Sequence, residues 1–139
     1  MLTVKQIEEA KNVGNYSQWL VDTFKHLEAN NTNLLKYIQS RKDNIKGPEK
    51  VNPELIIRTV GPEPEMLNHE SVVKFQDTTD KIIIEEFMAE QIVLLCEKFE
   101  SNYYLLDGNH TFEALKKFKP PFINIIYTED RVIYDLLHR

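Results

Sequence analysis

The stretch NYYLLDGNHTFEALKKF, residues 102–118, changes its hydrophobic pattern in the middle. Its first half, NYYLLD, is a short run of aromatic and aliphatic residues, which is typical of a strand. Its second half, residues 110–118, places Phe112, Leu115 and Phe118 at helical spacing. The Asp-Gly-Asn sequence between the halves favours a turn. The stretch therefore predicts a strand that leads through a tight turn directly into a helix.

The residues of this turn are the candidate binding site. Gly108 has no Cβ atom, which lets another group approach the backbone, and Asn109 is a preferred N-cap residue. The N–H groups of the first helical turn have no partner within the helix, so they favour an anion such as a phosphate. His110 adds a titratable donor, and Asp107 can orient its imidazole or help to hold a metal beside a phosphate. The same pattern also occurs as a simple capped turn, and that alternative stays open.

The segments around the turn predict a small mixed sheet. An apolar run and a short turn before residue 102 predict a hairpin, and Pro120-Pro121 ends the helix. The acids at 129 and 130 and the basic end of the chain favour a closing helix, as the helix dipole prefers. The predicted elements are strands at 91–99, 102–107 and 122–128, and helices at 110–118 and 129–139.

The N-terminal part of the chain has a helical pattern, and the pattern then changes in character. Helical spacing predicts three helices in the first 40 residues, and the Gly- and Pro-containing residues 43–53 predict a linker. Residues 55–60 predict a strand and 61–65 a loop, while 69–76 fit either a helix or a strand. In 80–90 the consecutive isoleucines favour a strand but the spacing allows a helix, and the helix, at 80–89, is preferred. The predicted fold class is therefore α+β, with a helical N-terminal extension at 1–48 and an α+β domain at 54–139.

Composition excludes several classes of function. The 139 residues carry a net charge of −5, and 16 of the 22 acids lie after residue 50 together with only 9 of the 17 basic residues. A DNA-binding protein usually presents a basic face, so DNA is a disfavoured partner. No apolar stretch is long enough to span a membrane, and the single cysteine, Cys96, favours a buried structural role and a reducing, cytoplasmic location.

The motif and its surroundings resemble the ParB/sulfiredoxin superfamily. Members carry an apolar strand, a D-G-x-H turn and a helix, and then a further strand and an acidic segment. Asp107, Gly108 and His110 match that turn, Ala114 matches the alanine of the helix, and FINIIYTED matches the further strand with its acidic segment. The resemblance covers about residues 54–135 and leaves the first 50 residues outside it. It implies a ParB/sulfiredoxin-like small mixed sheet with a nucleotide-phosphate site at the turn.

Two residues of the turn depart from the family pattern. Asn109 stands where sulfiredoxin has its cysteine, which argues against sulfinate reductase chemistry. Thr111 stands where an arginine is usual, so a bidentate phosphate clamp is missing. The G-E-R-R sequence of the partition proteins is also absent from the turn.

The resemblance implies a nucleotide- or phosphate-binding protein, for instance a phosphotransferase or nucleotide hydrolase. In this hypothesis Asp107 and His110 are the catalytic residues. The cofactor is bound by Gly108, Asn109 and His110, whose backbone amides hold the phosphate, and by Thr111, which donates a hydrogen bond. The cofactor is a nucleoside triphosphate, ATP or CTP, with Mg²⁺, and no protein metal site is predicted. The ligand is a nucleotide or another small phosphorylated molecule.

Two other interpretations stay open. The domain can be an inactive regulatory module, of a mobile-element or phage type, whose N-terminal helices bind a protein partner or form a homodimer. A ParB-like nuclease that acts on DNA is less favoured, because the charge is wrong. The serine kinases of the family use an acidic residue as a general base, and the candidates for that role are Glu85, Glu86 and Glu90, which are otherwise a solvated surface.

Overall fold

The computed structural model describes residues 1–60 and 69–139, apart from the side chains of His69 and Ser71. The loop predicted at 61–65 lies outside the described residues. None of the helices described is both long and apolar enough to cross a membrane.

The fold class is α+β, as predicted. The helices are α1 (Val4–Asn12), α2 (Tyr16–Thr23), α3 (Thr32–Ser40), α4 (His69–Asp80), α5 (Asn109–Lys116) and α6 (Val132–Leu137), and the strands are β1 (Lys46–Val51), β2 (Ile56–Ile57), β3 (Val93–Phe99), β4 (Asn102–Asp107) and β5 (Ile123–Glu129).

The five strands form one mixed sheet in the order β1-β5-β3-β4-β2. β3 lies at the centre, antiparallel to β4 and parallel to β5. β1 adds to β5 in the antiparallel sense, and β2 adds to β4 in the parallel sense. The predicted hairpin, helix and following strand are confirmed, and α5 is the crossover between β4 and β5.

The N-terminal helices cover one face of the sheet. Side chains that alternate along a strand point to opposite faces, and Val93, Leu95 and Ile126 belong to the face that meets α1–α3. Leu20 and Ile38 are fully buried in this layer. The apolar stripe of the N-terminal helices is therefore packed against the sheet. The division of the chain into units at 1–48 and 54–139 stays a prediction, although these helices share a core with the sheet.

Helix α5 covers the opposite face of the sheet. Its residues Phe112 and Leu115 pack with the alternate strand residues Leu94, Cys96 and Ile125. Cys96 is fully buried, and burial raises the pKa of its thiol, which fits the structural role predicted for it. Helix α4 packs against α5.

A buried carboxylate joins the N-terminal helices to the last helix. Glu97 lies on β3 with none of its surface exposed, and its side chain accepts hydrogen bonds from the Tyr37 hydroxyl and from the Ile133 backbone N–H, 2.7 Å away. The Tyr37 hydroxyl also lies 2.6 Å from Thr128 Oγ1. Burial, followed by the hydrogen bond to Glu97, raises the pKa of Tyr37, so its hydroxyl stays protonated. These bonds connect α3, β3, β5 and α6.

The linker predicted at 43–53 is wrong, because residues Lys46–Val51 form the edge strand β1. Gly47 has φ +107°, and an added Cβ would lie 2.6 Å from the Ile125 carbonyl oxygen. Pro48 lacks an N–H group and is tolerated because β1 pairs on only one side. Residues that usually interrupt a strand are therefore tolerated here because β1 lies at the edge of the sheet.

The helix predicted at 80–89 is also wrong. Helix α4 ends at Asp80, and only Glu86–Met88 form a short 3-10 turn in the segment after it. Three consecutive β-branched isoleucines, 82–84, lower the helix propensity of that segment. The strand predicted at 55–60 is confined to Ile56–Ile57, and the ambiguous residues 69–76 belong to α4.

Candidate functional site

The predicted turn between strand and helix is present, but its N-cap residue is Gly108 and not Asn109. β4 ends at Asp107, α5 begins at Asn109, and Gly108 is the N-cap residue with φ +95°. A Cβ atom at Gly108 would lie 2.8 Å from Leu94 Cδ2, so both the conformation and the space favour glycine. The expectation that Asn109 caps the helix is wrong, because Asn109 is already the first helical residue.

A β-bulge directs Asp107 toward the face of the sheet that the N-terminal helices cover. Leu95 pairs with Asp107 and Cys96 pairs with Leu105, so Leu106 is an extra residue on β4. Without the bulge, Asp107 would share the face of Leu105, against α5. Bulges commonly re-aim a side chain next to a functional site. Here the bulge places Asp107 in a cleft beside the N-terminal helices.

The cleft has a volume of about 540 Å³ and lies between the turn and helix α2. Asp107, Gly108 and Thr111 line it from the side of the sheet and α5. The N-terminal region contributes residues that the resemblance does not cover, and these include Gln6, Trp19, Thr23 and His26. Three residues of the predicted site therefore lie together in one cleft.

Asp107 is a half-buried carboxylate without a cation in contact. Burial raises its pKa above the ordinary value, whereas the hydrogen bond that it accepts from the Gly108 N–H and the charge of His26 act in the opposite direction. Asp107 forms no salt bridge within residues 1–60 and 69–139. Partly buried charges of this kind are costly and are concentrated at functional sites.

His26 is the cleft residue that sequence reasoning missed. It follows α2 in a 3-10 turn, and its Nδ1 lies 3.1 Å from the Thr23 carbonyl oxygen. A carbonyl oxygen only accepts, so Nδ1 carries the proton, and Nε2 of the neutral ring is an acceptor. The His26 side chain is exposed. Its nearness to Asp107 follows from the packing of α2 on the sheet, which spacing along the chain does not reveal.

Asn109 and His110 face away from the cleft. The Asn109 side-chain oxygen accepts hydrogen bonds from the backbone N–H groups of Thr59, at 2.9 Å, and Val60, at 3.3 Å. The His110 ring stacks on Phe75 of α4 with 4.3 Å between ring centroids. Asn109 therefore fixes the chain after β2, and His110 holds α4 against α5. A catalytic role for His110 stays a prediction.

The His110 environment also includes a buried hydroxyl. Thr79 Oγ1 lies 3.1 Å from His110 Nδ1, and only 2% of the Thr79 surface is exposed. This contact is of the kind that orients a ring in a packed interface. Sequence reasoning placed His110 at the phosphate because the motif puts it next to the turn, but the first turn of a helix presents successive side chains in different directions.

Thr111 completes the cleft on the side of α5. It lies in the first turn of the helix, where backbone N–H groups have no partner inside the helix. Its hydroxyl makes no hydrogen bond within the described residues. Thr111 can therefore donate to a ligand in the cleft without breaking a contact of the protein.

The acidic residues considered as general bases lie elsewhere. Glu85, Glu86 and Glu90 are exposed, and none of them lines the cleft. Within residues 1–60 and 69–139, no three His, Cys, Asp or Glu side chains are grouped so that they could hold a metal ion. Asp107 is therefore the carboxylate that the described cleft offers.

Replacing Asp107 with Asn is expected to stabilise the protein at about pH 7. The Asp107 carboxyl group has a higher pKa in the folded state than in the unfolded state. Between these two pKa values the folded state binds more protons, so the free energy of unfolding falls as the pH rises through that range. The variant removes this penalty. Its melting temperature should exceed that of the wild type near neutral pH, and the difference should vanish below a pH of about 3.9, where both states are protonated.

Differential scanning calorimetry from acidic to neutral pH checks this expectation. Asp43, which is exposed, provides the matched control, because Asp43→Asn makes the same chemical change outside the cleft. A lower melting temperature for Asp107→Asn at neutral pH would mean that its charge is compensated in the folded protein.

No protein-family model, curated protein or solved structure matches this chain. The interpretation of the cleft therefore rests on its own geometry and on the motif.

Proposed function

We propose that this protein binds a small phosphorylated molecule in the cleft at the start of α5. The observation that carries the proposal is that Asp107, Gly108 and Thr111 line one cleft with His26 and Trp19. The phosphate accepts hydrogen bonds from the N–H groups of the first turn of α5 and from the Thr111 hydroxyl. The positive end of the helix dipole adds to this attraction.

The size of the cleft suits a ligand larger than phosphate alone. Small-molecule sites usually have volumes of about 300–1,000 Å³, and this cleft lies within that range. Trp19 provides an aromatic surface at the cleft wall, on which a planar base can stack. A nucleotide is the ligand that the resemblance to the ParB/sulfiredoxin superfamily implies, and the small mixed sheet with α5 after the D-G-x-H turn agrees with a fold of that type.

Mg²⁺ is compatible with the cleft when phosphate oxygens supply most of its ligands. Mg²⁺ in nucleotide sites is commonly held by one or two carboxylates, the phosphates and water. Asp107 is the described residue that would hold it. A bound Mg²⁺ would neutralise phosphate charge next to Asp107, and the same arrangement would suit a phosphotransferase or nucleotide hydrolase.

A thermal-shift panel tests the proposal. The ligands are ATP, CTP, GTP, their diphosphates and NAD, each with and without Mg²⁺. A ligand at a hundred times its dissociation constant stabilises the folded state by about 2.7 kcal/mol, which is easily measured. No shift with any of these ligands, and none with simple phosphate esters, would contradict the proposal.

Replacing Thr111 with Val is expected to weaken ligand binding and leave the free protein unchanged. The change keeps the shape of the side chain, and the hydroxyl it removes has no partner within the described residues. Loss of one hydrogen bond to a charged phosphate reduces affinity by about 1.5–3 kcal/mol. Isothermal titration measures the change.

Thr78→Val is the matched control for Thr111→Val. Thr78 is an exposed residue of α4 and lies outside the cleft. Its hydroxyl donates to the Lys74 carbonyl oxygen one helical turn away. Equal affinity of both variants for the ligand would exclude Thr111 from the phosphate contacts.

The second candidate function is a binding module with no catalytic activity. The apolar stripe of the N-terminal helices is buried against the sheet, so a partner or a second copy would have to contact their polar sides. The segment after α4 also exposes apolar side chains, since Ile83 is 83% and Phe87 73% exposed. The absence of any nucleotide-induced shift, together with a dimer in analytical ultracentrifugation, would favour this function.

A further inference from the structure

The cleft contains an acidic group, Asp107, that has no salt bridge within the described residues, and the charge of a protonated His26 offsets it only in part. Asp107 is half-buried and accepts one hydrogen bond, from the Gly108 N–H, and it has no salt bridge within residues 1–60 and 69–139. A dianionic phosphate bound to the first turn of α5 would meet this carboxylate at the same end of the helix. Two neighbouring negative charges out of bulk water repel each other strongly. A ligand that is only an anion is therefore poorly matched to the cleft.

Two other groups in the cleft favour a cation. Trp19 lines the cleft, and an indole attracts an ammonium group that lies over its ring. His26 donates from Nδ1 to the Thr23 carbonyl oxygen, which leaves Nε2 of the neutral ring as an acceptor. A carboxylate, an imidazole with an acceptor nitrogen and an indole thus line the same cleft, and each of them attracts a positive group that carries N–H donors.

We propose that the cleft binds an ammonium group of its ligand among Asp107, His26 and Trp19. The ligand is then a zwitterion, in which a phosphate is joined through a short linker to a primary or methylated amine. The phosphate end rests on the proposed function, whereas the ammonium end rests on these three side chains. Only Gly108 separates Asp107 from the first turn of α5, so a short linker joins the two ends.

Calorimetric titration with matched ligands tests the proposal. Phosphoethanolamine carries both groups, ethyl phosphate lacks the amine, and ethylamine lacks the phosphate. The titrations contain EDTA, so that a divalent metal cannot replace the ammonium beside Asp107. The wild type is expected to bind phosphoethanolamine at least about tenfold more tightly than ethyl phosphate, because a charged hydrogen bond contributes that much.

Asp107→Asn is the diagnostic variant, and it is expected to fold because it removes a buried charge. Its affinities for phosphoethanolamine and ethyl phosphate should differ by less than about twofold, since the ammonium loses its carboxylate partner. Asp43→Asn makes the same change at an exposed position outside the cleft and should keep the wild-type preference.

The outcomes separate this inference from the proposed function. Equal binding of phosphoethanolamine and ethyl phosphate by the wild type would overturn the ammonium subsite and leave the phosphate site standing. A preference that survives in Asp107→Asn would also overturn the inference. Ethylamine binding that Asp107→Asn abolishes, without binding of either phosphate, would support the ammonium subsite and overturn the phosphate site. No binding of any of the three would overturn both.

Discussion

Replacing Glu97 with Ala is expected to lower the free energy of unfolding by about 2–4 kcal/mol, a loss typical of breaking a buried hydrogen-bond network. Glu97 is completely buried and accepts hydrogen bonds from Tyr37 and from the Ile133 N–H. The change leaves the Ile133 N–H without its acceptor and opens a cavity at the centre of β3. The attachment of both α3 and α6 to the sheet should weaken together.

A second substitution, Glu97→Gln, separates the contribution of the negative charge to stability from the contribution of the side-chain volume and hydrogen bonds. Glu97→Gln keeps the size of the side chain, and its amide oxygen can still accept from the Ile133 N–H. Its amide nitrogen can donate to the Tyr37 hydroxyl, which in turn can donate to Thr128. We therefore expect Glu97→Gln to cost clearly less than Glu97→Ala in urea unfolding experiments. Equal losses would show that the negative charge itself is required.

Two tyrosines provide a matched control for this network. Tyr37→Phe removes a hydroxyl that bonds Glu97 and Thr128. Tyr16→Phe removes a buried hydroxyl that has no hydrogen-bond partner among the described residues. Tyr37→Phe should cost about 1.5–3 kcal/mol, the range for a hydrogen bond to a charged group, whereas Tyr16→Phe should be neutral or stabilising. Similar losses in the two variants would mean that the hydroxyl of Tyr37 contributes only through packing.

Periodicity along the chain predicted the elements around the site because each of them has a one-sided or continuous apolar pattern. Strands β3, β4 and β5 are apolar runs, and α5 has its apolar residues on one face. Edge strand β1 was missed because Gly47 and Pro48 are usually signs of a loop, and their compatibility with an edge position depends on β5. Glu97 is an isolated acid within an apolar strand, and that pattern is the sequence signal of the network.

The cleft was predicted only in part, because its residues are assembled by tertiary packing. Gly108 and Asp107 were identified from the turn itself, where conformation is local. The one-residue bulge that re-aims Asp107 has no distinct signature in the sequence. His26 and Trp19 reach the cleft because α2 packs on the sheet. Asn109 and His110 were assigned to the ligand through their backbone amides, and His110 also as a titratable donor, while their side chains contact other parts of the protein.

Replacing Leu20 with Ala is expected to destabilise the whole chain by about 2–5 kcal/mol, the usual range for a buried leucine. Leu20 has none of its surface exposed and lies in the layer between α2 and the sheet, which includes Leu95 and Ile126. The loss of its methyl groups should therefore destabilise both the N-terminal helices and the sheet. We expect one cooperative unfolding transition, shifted to lower urea concentration.

The two sides of this layer can be followed separately in the same experiment. Trp19 is the only tryptophan, so its fluorescence reports on α2, and hydrogen exchange of the β3 and β5 amides reports on the sheet. Coincident transitions are the test of a single cooperative unit. Val13→Ala is the control, because Val13 is 74% exposed and its truncation should change stability by less than about 0.5 kcal/mol.

The result also decides whether the two walls of the cleft belong to one folding unit. If Leu20→Ala shifts the fluorescence transition and leaves the sheet amides unchanged, residues 1–48 form a separate unit that merely rests on the α+β domain. If both probes shift together, the helices and the sheet form one folding unit. In that case the wall with Trp19 and His26 stays folded whenever the wall with Asp107 is folded. The cleft is then already formed when a ligand binds.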